Sequence, residues 1–176
     1  MSDPSGLAPL ASLAALADRI AASLRERGQT VAVVESSAGG MVSAALLAIP
    51  GASAYFIGGV VVYTRRAGKA LLGLTADDMV GLRAETEPYA NLVAGKIRDK
   101  LGATWGLSES GAAGPSGSAY GDAPGHVCIA VAGPVSRTRT IETAQPNRPA
   151  NMDLFARQLL SLFDEALREQ PPLPPA

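Results

Sequence analysis

Cysteine is nearly absent from these 176 residues: Cys128 stands alone. No internal disulfide framework is possible, and a reducing compartment is expected. His126 is the single histidine and Lys69, Lys96 and Lys100 are the only lysines. A lone histidine without neighbouring ligands excludes a credible metal site. Charged residues make up 18% of the chain and the net charge is -1, so no field of one sign is available to steer nucleic acid or acidic lipid. No apolar run reaches the roughly 18 residues that cross a bilayer. Residues 1–6 lack the charged start and apolar core of a signal peptide. The expectation is a soluble cytoplasmic domain that uses no metal or other cofactor and engages neither nucleic acid nor membrane.

What the chain does contain is apolar material. Hydrophobic residues reach 47%, enough at this length for one domain with a substantial core. Residues 1–170 read as that domain, and 171–176 as a loose proline-rich tail. Twice, an apolar run ends in Glu-Ser followed by small residues and glycine: Val31 to Val34 into Glu35-Ser36-Ser37-Ala38-Gly39-Gly40, and Trp105 to Ser108 into Glu109-Ser110-Gly111-Ala112-Ala113-Gly114-Pro115. Each reads as a strand breaking into a loop. Loops at the carboxyl ends of strands form the ligand crevice of open α/β sheets, so the two point to one shared polar pocket. The echo is local; there is no internal fold repeat.

Helical spacing of Leu10, Leu13, Leu16, Ile20 and Leu24 predicts a helix over 7–27 with Gly28 as its cap. Strands are expected at 31–35, 55–64, 103–108, 126–132 and 138–143, the last two as a hairpin across Gly133-Pro134-Val135-Ser136. Gly58-Gly59 inside the second strand signals a bulge or a close backbone approach. Further helices are expected at 38–48, 65–72, 75–81, 87–101 and 151–168. Strands interspersed with helices give a three-layer α/β/α fold with a mixed, mostly parallel sheet.

From Glu35 to Leu74 the chain resembles the CinA C-terminal domain family, which includes nicotinamide mononucleotide deamidases. The family's Glu-Ser-Cys-Thr-Gly-Gly is met by Glu35-Ser36-Ser37-Ala38-Gly39-Gly40, and its Ile-Pro-Gly-Ser-Ser by Ile49-Pro50-Gly51-Ala52-Ser53. Tyr-Ser-Asn-Glu-Ala-Lys is met by Tyr63-Thr64-Arg65-Arg66-Ala67-Gly68-Lys69, ahead of Leu71-Leu72-Gly73-Leu74. Thr-Gly-Ile-Ala-Gly-Pro is met by Ser110 to Pro115, and Arg148 falls where the family has Gly-Asp-Arg. The order and spacing hold from about Val31 to Ala132; each motif alone is weak, the ordered set specific. The resemblance implies the three-layer fold and hydrolysis of the nicotinamide carboxamide. Three departures stand against it: Ala38 replaces a threonine, Gly68 takes the lysine register with Lys69 one residue late, and Ser116 to Gly125 replaces a different loop.

Amide hydrolysis needs a nucleophile, a base and oxyanion donors. Ser36 is the candidate nucleophile, ahead of helix amides from Ser37, Gly39 and Gly40 that can face negative charge; the bland alternative is a helix cap. Lys69 is the candidate base if burial lowers its pKa, or else a solvated surface lysine. Arginine stays protonated, so Arg65 can hold phosphate but cannot replace the base. Tyr63 lines the pocket in the family or serves as core. Ser110 and the backbone of Gly111, Ala112 and Gly114 suit a ribose phosphate, as does Arg148. His126 and Cys128 read as structural, and Glu109 as an acid that orients a ligand hydroxyl or reaches solvent. Two functions remain: a serine amidohydrolase acting on a pyridine mononucleotide, and a nucleotide-binding module of the same fold. The apolar helices further suggest a homodimer or homotrimer.

Overall fold

The structure is a computed structural model that describes residues 10–171. The expected helical start at residues 7–9 and the tail from residue 172 lie outside the described residues. The chain runs α1 (Leu13–Arg27), β1 (Val31–Glu35), α2 (Met41–Leu47), β2 (Phe56–Val61), α3 (Arg65–Ala67), α4 (Glu87–Leu101), β3 (Trp105–Ala112), β4 (His126–Ala132), β5 (Arg137–Glu142) and α5 (Arg148–Glu169). The first helix begins only at Leu13, where the Ser12 side chain accepts from the Ala15 amide, and it ends as expected at left-handed Gly28.

The five strands form one mixed sheet in the order β2-β1-β3-β4-β5. β1 pairs in parallel with both β2 and β3, while β4 is antiparallel to β3 and β5. Four strands therefore run one way and β4 alone runs the other. Helices α1, α2 and α5 cover one face and α4 covers the opposite one, giving three layers. β4 explains how one strand can be buried along its whole length. Val127, Ile129 and Val131 enter the main core under α5, whereas Cys128, Ala130 and Ala132 meet Ala90 and Ala94 of α4. The small residues on that second side let α4 approach closely. Opposite, Trp105 sets its ring edge-on to Phe163 at 5.4 Å and donates to Gln29 Oε1 at 2.9 Å.

Several elements depart from their sequence-based bounds. β3 continues through Glu109 and Ser110 to Ala112, so the second Glu-Ser is strand rather than loop, held by β4, which pairs as far as Ala112–His126. The 75–81 helix is a single tight turn, Asp77–Met79, stapled by Thr75 and Asp78 to each other's backbone amides. The 65–72 helix widens into a π-turn over Gly68–Leu72. α5 starts three residues early, at Arg148, because the Asn147 side chain caps it. In β2, Val31 faces Phe56 and Ala32 faces Gly58, so Ile57 is the extra residue of a bulge. A Cβ on Gly59 would strike the Ser43 hydroxyl, so the glycine pair carries both a bulge and a close approach.

The sheet order places the site. From β1 the chain goes to one neighbour through α2 and later returns to the other through α4, on the opposite face. Strand order reverses at β1 and β3, the switch point where open α/β sheets take ligands. Pairing between these strands ends at Val34 and Ser108; β1 then turns away while β3 continues against β4, and the gap is a crevice.

Glycine substitutions in and under α4 test this packing. A Cβ on Gly106 would enter the Ala94 carbonyl, whereas one on Gly95 meets nothing within 4 Å. Gly106→Ala should cost about 3 kcal/mol by urea denaturation. Gly95→Ala, in the helix interior, should stabilise by about 0.5–1 kcal/mol.

Candidate functional site

Two glutamates, one from each Glu-Ser pair, govern the turn between β1 and α2. Both are fully buried. Glu35 accepts the amides of Gly40, Val42 and Ser43 at 2.8–3.0 Å and the Ser43 hydroxyl at 2.7 Å. It acts as a remote N-cap for α2, whose own cap residue, left-handed Gly40, has no side chain to offer. Glu109 reaches across from β3 and accepts the Ser36 amide at 3.0 Å, the Ala38 amide at 2.8 Å and the Ser37 hydroxyl at 2.5 Å. Burial pushes the Glu109 carboxyl above the ordinary carboxylate range; the Ser37 hydroxyl and the two amides oppose the shift, and the Glu35 charge adds to it. The acid neither faces a ligand nor reaches solvent, as its position at the end of the apolar run had suggested. It fixes the loop from behind.

These bonds alter the oxyanion expectation. The Gly39 amide turns back to the Ser36 carbonyl and the Met41 amide to that of Ala38. From Ser36 to Ser43, only the Ser37 amide has no internal acceptor among the described residues. Gly39 and Gly40 are thus not ligand donors: their amides are spent inside the turn, and neither lines the two cavities described next. Their left-handed backbone, φ 66° and 101°, is what the turn requires of glycine.

The crevice holds two adjoining cavities, of about 550 and 380 Å³. Ser36, Tyr63 and Glu85 line both, and so mark their junction. The larger one takes Arg65, Lys69 and Ser110, with an apolar wall that includes Val62, Leu74, Met79 and Leu82. The smaller one takes Ser37, Arg148 and the backbone from Gly111 to Ala119, with Ala112 and Gly114 among them. Apart from Gly39 and Gly40, every residue expected at the site lies on one of these walls.

Their individual settings differ. Tyr63 is 62% exposed, so it is no core residue. Its hydroxyl accepts from Arg148 Nη2 at 3.1 Å while Arg148 Nη1 donates to the Gly114 carbonyl at 2.8 Å, which clamps the cation between the two loops. Arg65 donates to the Tyr120 hydroxyl at 3.2 Å. Gly111 and Ala112 pair with Val127 and His126, so the sheet ladder ends only before Ala113, whose carbonyl accepts from Asn151 Nδ2 at 2.8 Å. Lys69 sits in the π-turn, whose wider winding absorbs one extra residue and lets the late lysine reach the cavity wall. It is nonetheless exposed and makes no direct hydrogen bond to Ser36.

Glu85 was not singled out from sequence. Its backbone is left-handed, φ 63°, rare for a residue with a side chain. The strain is held from both sides: the Glu85 amide donates to the Ser110 hydroxyl at 3.2 Å, and its carbonyl accepts from His126 Nε2 at 2.9 Å. His126 Nδ1 in turn meets Glu142 Oε1 at 2.5 Å. Burial pulls the imidazole pKa down, but the bonds to Glu142 and the Glu85 carbonyl, with the charges of Glu142 and Asp122, outweigh it and the net shift is upward. Both ring nitrogens are thus engaged within the fold, and among the described residues no cluster of His, Cys, Asp or Glu could hold a metal ion. No helix there is long and apolar enough to cross a membrane.

Comparison with known proteins follows the same lines. A family model for the CinA C-terminal domain matches residues 13–167. The chain is 46% identical over 111 residues to a CinA-like protein of Prochlorococcus marinus, covering 63% of this chain and 26% of that one. It is 41% identical over 154 residues to a CinA-like protein of Anaeromyxobacter dehalogenans, covering 87% and 38%. It thus spans between a quarter and two-fifths of these relatives' length. Among solved structures, a competence or damage-inducible protein from Enterobacter asburiae superposes with TM-score 0.83 at 27% identity, over 89% of this chain and 99% of that one. One from Klebsiella pneumoniae reaches 0.85 at 25%, over 92% and 100%.

The His126 network carries a pH signature. A histidine whose folded pKa is raised stabilises the fold fully below its unfolded value, about 6.5, and loses that contribution as pH rises through the folded value. Wild-type urea midpoints should therefore fall as pH climbs from about 6.5 through the raised folded value, and His126→Gln should flatten that slope.

Proposed function

The chain belongs to the CinA C-terminal domain family, and from that premise we propose that it hydrolyses the carboxamide of nicotinamide mononucleotide to nicotinate mononucleotide and ammonia, with Ser36 as nucleophile. The observation that carries this reading is the place of Ser36 at the junction of two unlike cavities. A pyridine mononucleotide is an aromatic ring at one end and a phosphate at the other. The larger cavity, with Val62, Leu74, Met79 and Leu82 in its wall, suits the ring. The smaller, with Arg148 and the turn from Gly114 to Ser118, suits the phosphate. Tyr63, fixed by Arg148, stands between them.

In this reading the Ser36 hydroxyl attacks the carboxamide carbon. The uncommitted Ser37 amide, next after the nucleophile, donates to the developing oxyanion, the position that strand-to-helix serine turns use for that purpose. Glu109 and Glu35 do not enter the chemistry; they hold the turn so that the Ser37 amide stays free. Arg65 and Ser110 supply further polar contacts to the ligand.

The second reading, a nucleotide-binding module without turnover, draws on Gly68 in the lysine register and on the exposure of Lys69. Ammonia release from nicotinamide mononucleotide separates the two. The wild type should release ammonia, and Ser36→Ala should lower kcat by about 10³-fold or more while ligand affinity stays within about threefold. Wild type that binds the nucleotide and releases nothing is a binding module.

Self-association belongs to the same proposal. Strand β2 is a sheet edge with Ile57 and Val61 exposed, and Leu47 beside it is 56% exposed. Sedimentation at micromolar concentration should give a dimer or trimer; a monomer alone would overturn this.

A further inference from the structure

Three groups meet at the junction of the cavities, and only two have been given work. Ser36 and Tyr63 are accounted for; Glu85 is the third. It is the one carboxylate in the wall of either cavity among the described residues. Its Oε2 is buried with no hydrogen-bond partner, a costly state for an acid that has merely a structural role. Its backbone is held in a left-handed conformation by Ser110 of β3 and His126 of β4. Ser36 and Ser110 each stand two residues beyond Val34 and Ser108, the last residues paired between β1 and β3, so Glu85 is anchored to the register counterpart of the serine. Such strain persists where surrounding structure imposes it, and it gathers at functional sites.

The reaction in turn lacks a base. A lysine serves as one only when desolvated, and Lys69 is exposed. A carboxylate needs no desolvation to be unprotonated at neutral pH. Resting on the amidohydrolase reading, we propose that the Glu85 carboxylate is the general base that takes the Ser36 proton. The Ser36 Oγ–H proton passes to Glu85 as the Oγ–carbon bond forms and the carbonyl electron pair moves to oxygen, facing the Ser37 amide. The pair then returns, the carbon–nitrogen bond breaks, and the Glu85 proton goes to the departing nitrogen, which leaves as ammonia. Water then attacks the acyl-serine, giving one proton to Glu85; that proton returns to Ser36 Oγ as the acid departs. With no donor bound to it, Oε2 is available to accept the Ser36 proton when a ligand fills the crevice.

Two measurements test this on the intact protein. The first is ammonia release from nicotinamide mononucleotide by wild type, Glu85→Gln and Glu85→Asp across pH. The second is labelling of Ser36 by a phosphonyl fluoride, read by intact mass, which needs an activated serine but no amide substrate. Glu85→Gln should lower kcat and the labelling rate by about 10²–10³-fold, keep KM within about threefold, and lose the acid-side limb of the pH profile. Glu85→Asp, which keeps the carboxylate on a shorter stem, should retain part of both rates and the limb. Glu85→Gln labelling at the wild-type rate overturns the proposal, as does loss of labelling in Lys69→Met in its place. Should Glu85→Gln not fold, the wild-type labelling profile decides: a rate that rises only above about pH 9, where amines give up their protons, overturns a carboxylate base. Labelling that depends on Glu85 in a protein that releases no ammonia removes the amide substrate while leaving the base in place. Ammonia release unaffected in Glu85→Gln does the reverse.

Discussion

Two buried carboxylates, Glu35 and Glu109, take up the amides of the turn that joins the first strand to its helix, and the rest of the site depends on that arrangement. Isolated from solvent, each costs free energy unless donors surround it, and each is surrounded: four donors converge on Glu35 and three on Glu109. The mutual need is what makes the turn rigid. It removes the helix end from consideration as a bare anion site, since α2 has only 7 residues and Glu35 occupies its amides. It also leaves one amide, that of Ser37, at the junction where Ser36 stands.

Much of the fold was legible because it rests on period and punctuation. The apolar runs beginning at Val31, Trp105 and His126 became strands, Gly28 ended the first helix, and α4 runs over the expected 87–101. The errors fall where tertiary contact overrides local pattern. Ser110-Gly111-Ala112 looks like a loop, yet β4 supplies a ladder that keeps it extended. Residues 75–81 carry helix-start signals, but the segment closes a cavity wall with a single turn.

The site was legible in composition more than in role. The Glu-Ser repeat led to this crevice, and the residues expected there lie on its walls except Gly39 and Gly40, whose glycines serve the turn. Spacing cannot say which way a carboxylate points, so Glu109 was read as reaching outward when it reaches back. Lys69 follows the lysine register by one residue, and the π-turn that holds it does not keep α-helical rotation. Glu85 left no signal, since nothing in Arg83-Ala84-Glu85-Thr86 announces a positive φ; it is imposed by Ser110 and His126, 25 and 41 residues further on.

The chain of contacts through His126 has an evolutionary reading. Glu142 lies at the end of the outer strand β5, its side chain 55% exposed, and by position alone it resembles any surface acid free to drift. Because it steadies the imidazole that holds the Glu85 carbonyl, an exchange there is transmitted to the cavity wall without touching it. Selection on the crevice thus extends to the rim of the sheet, and a map of permissible variation in this chain would not coincide with a map of solvent exposure.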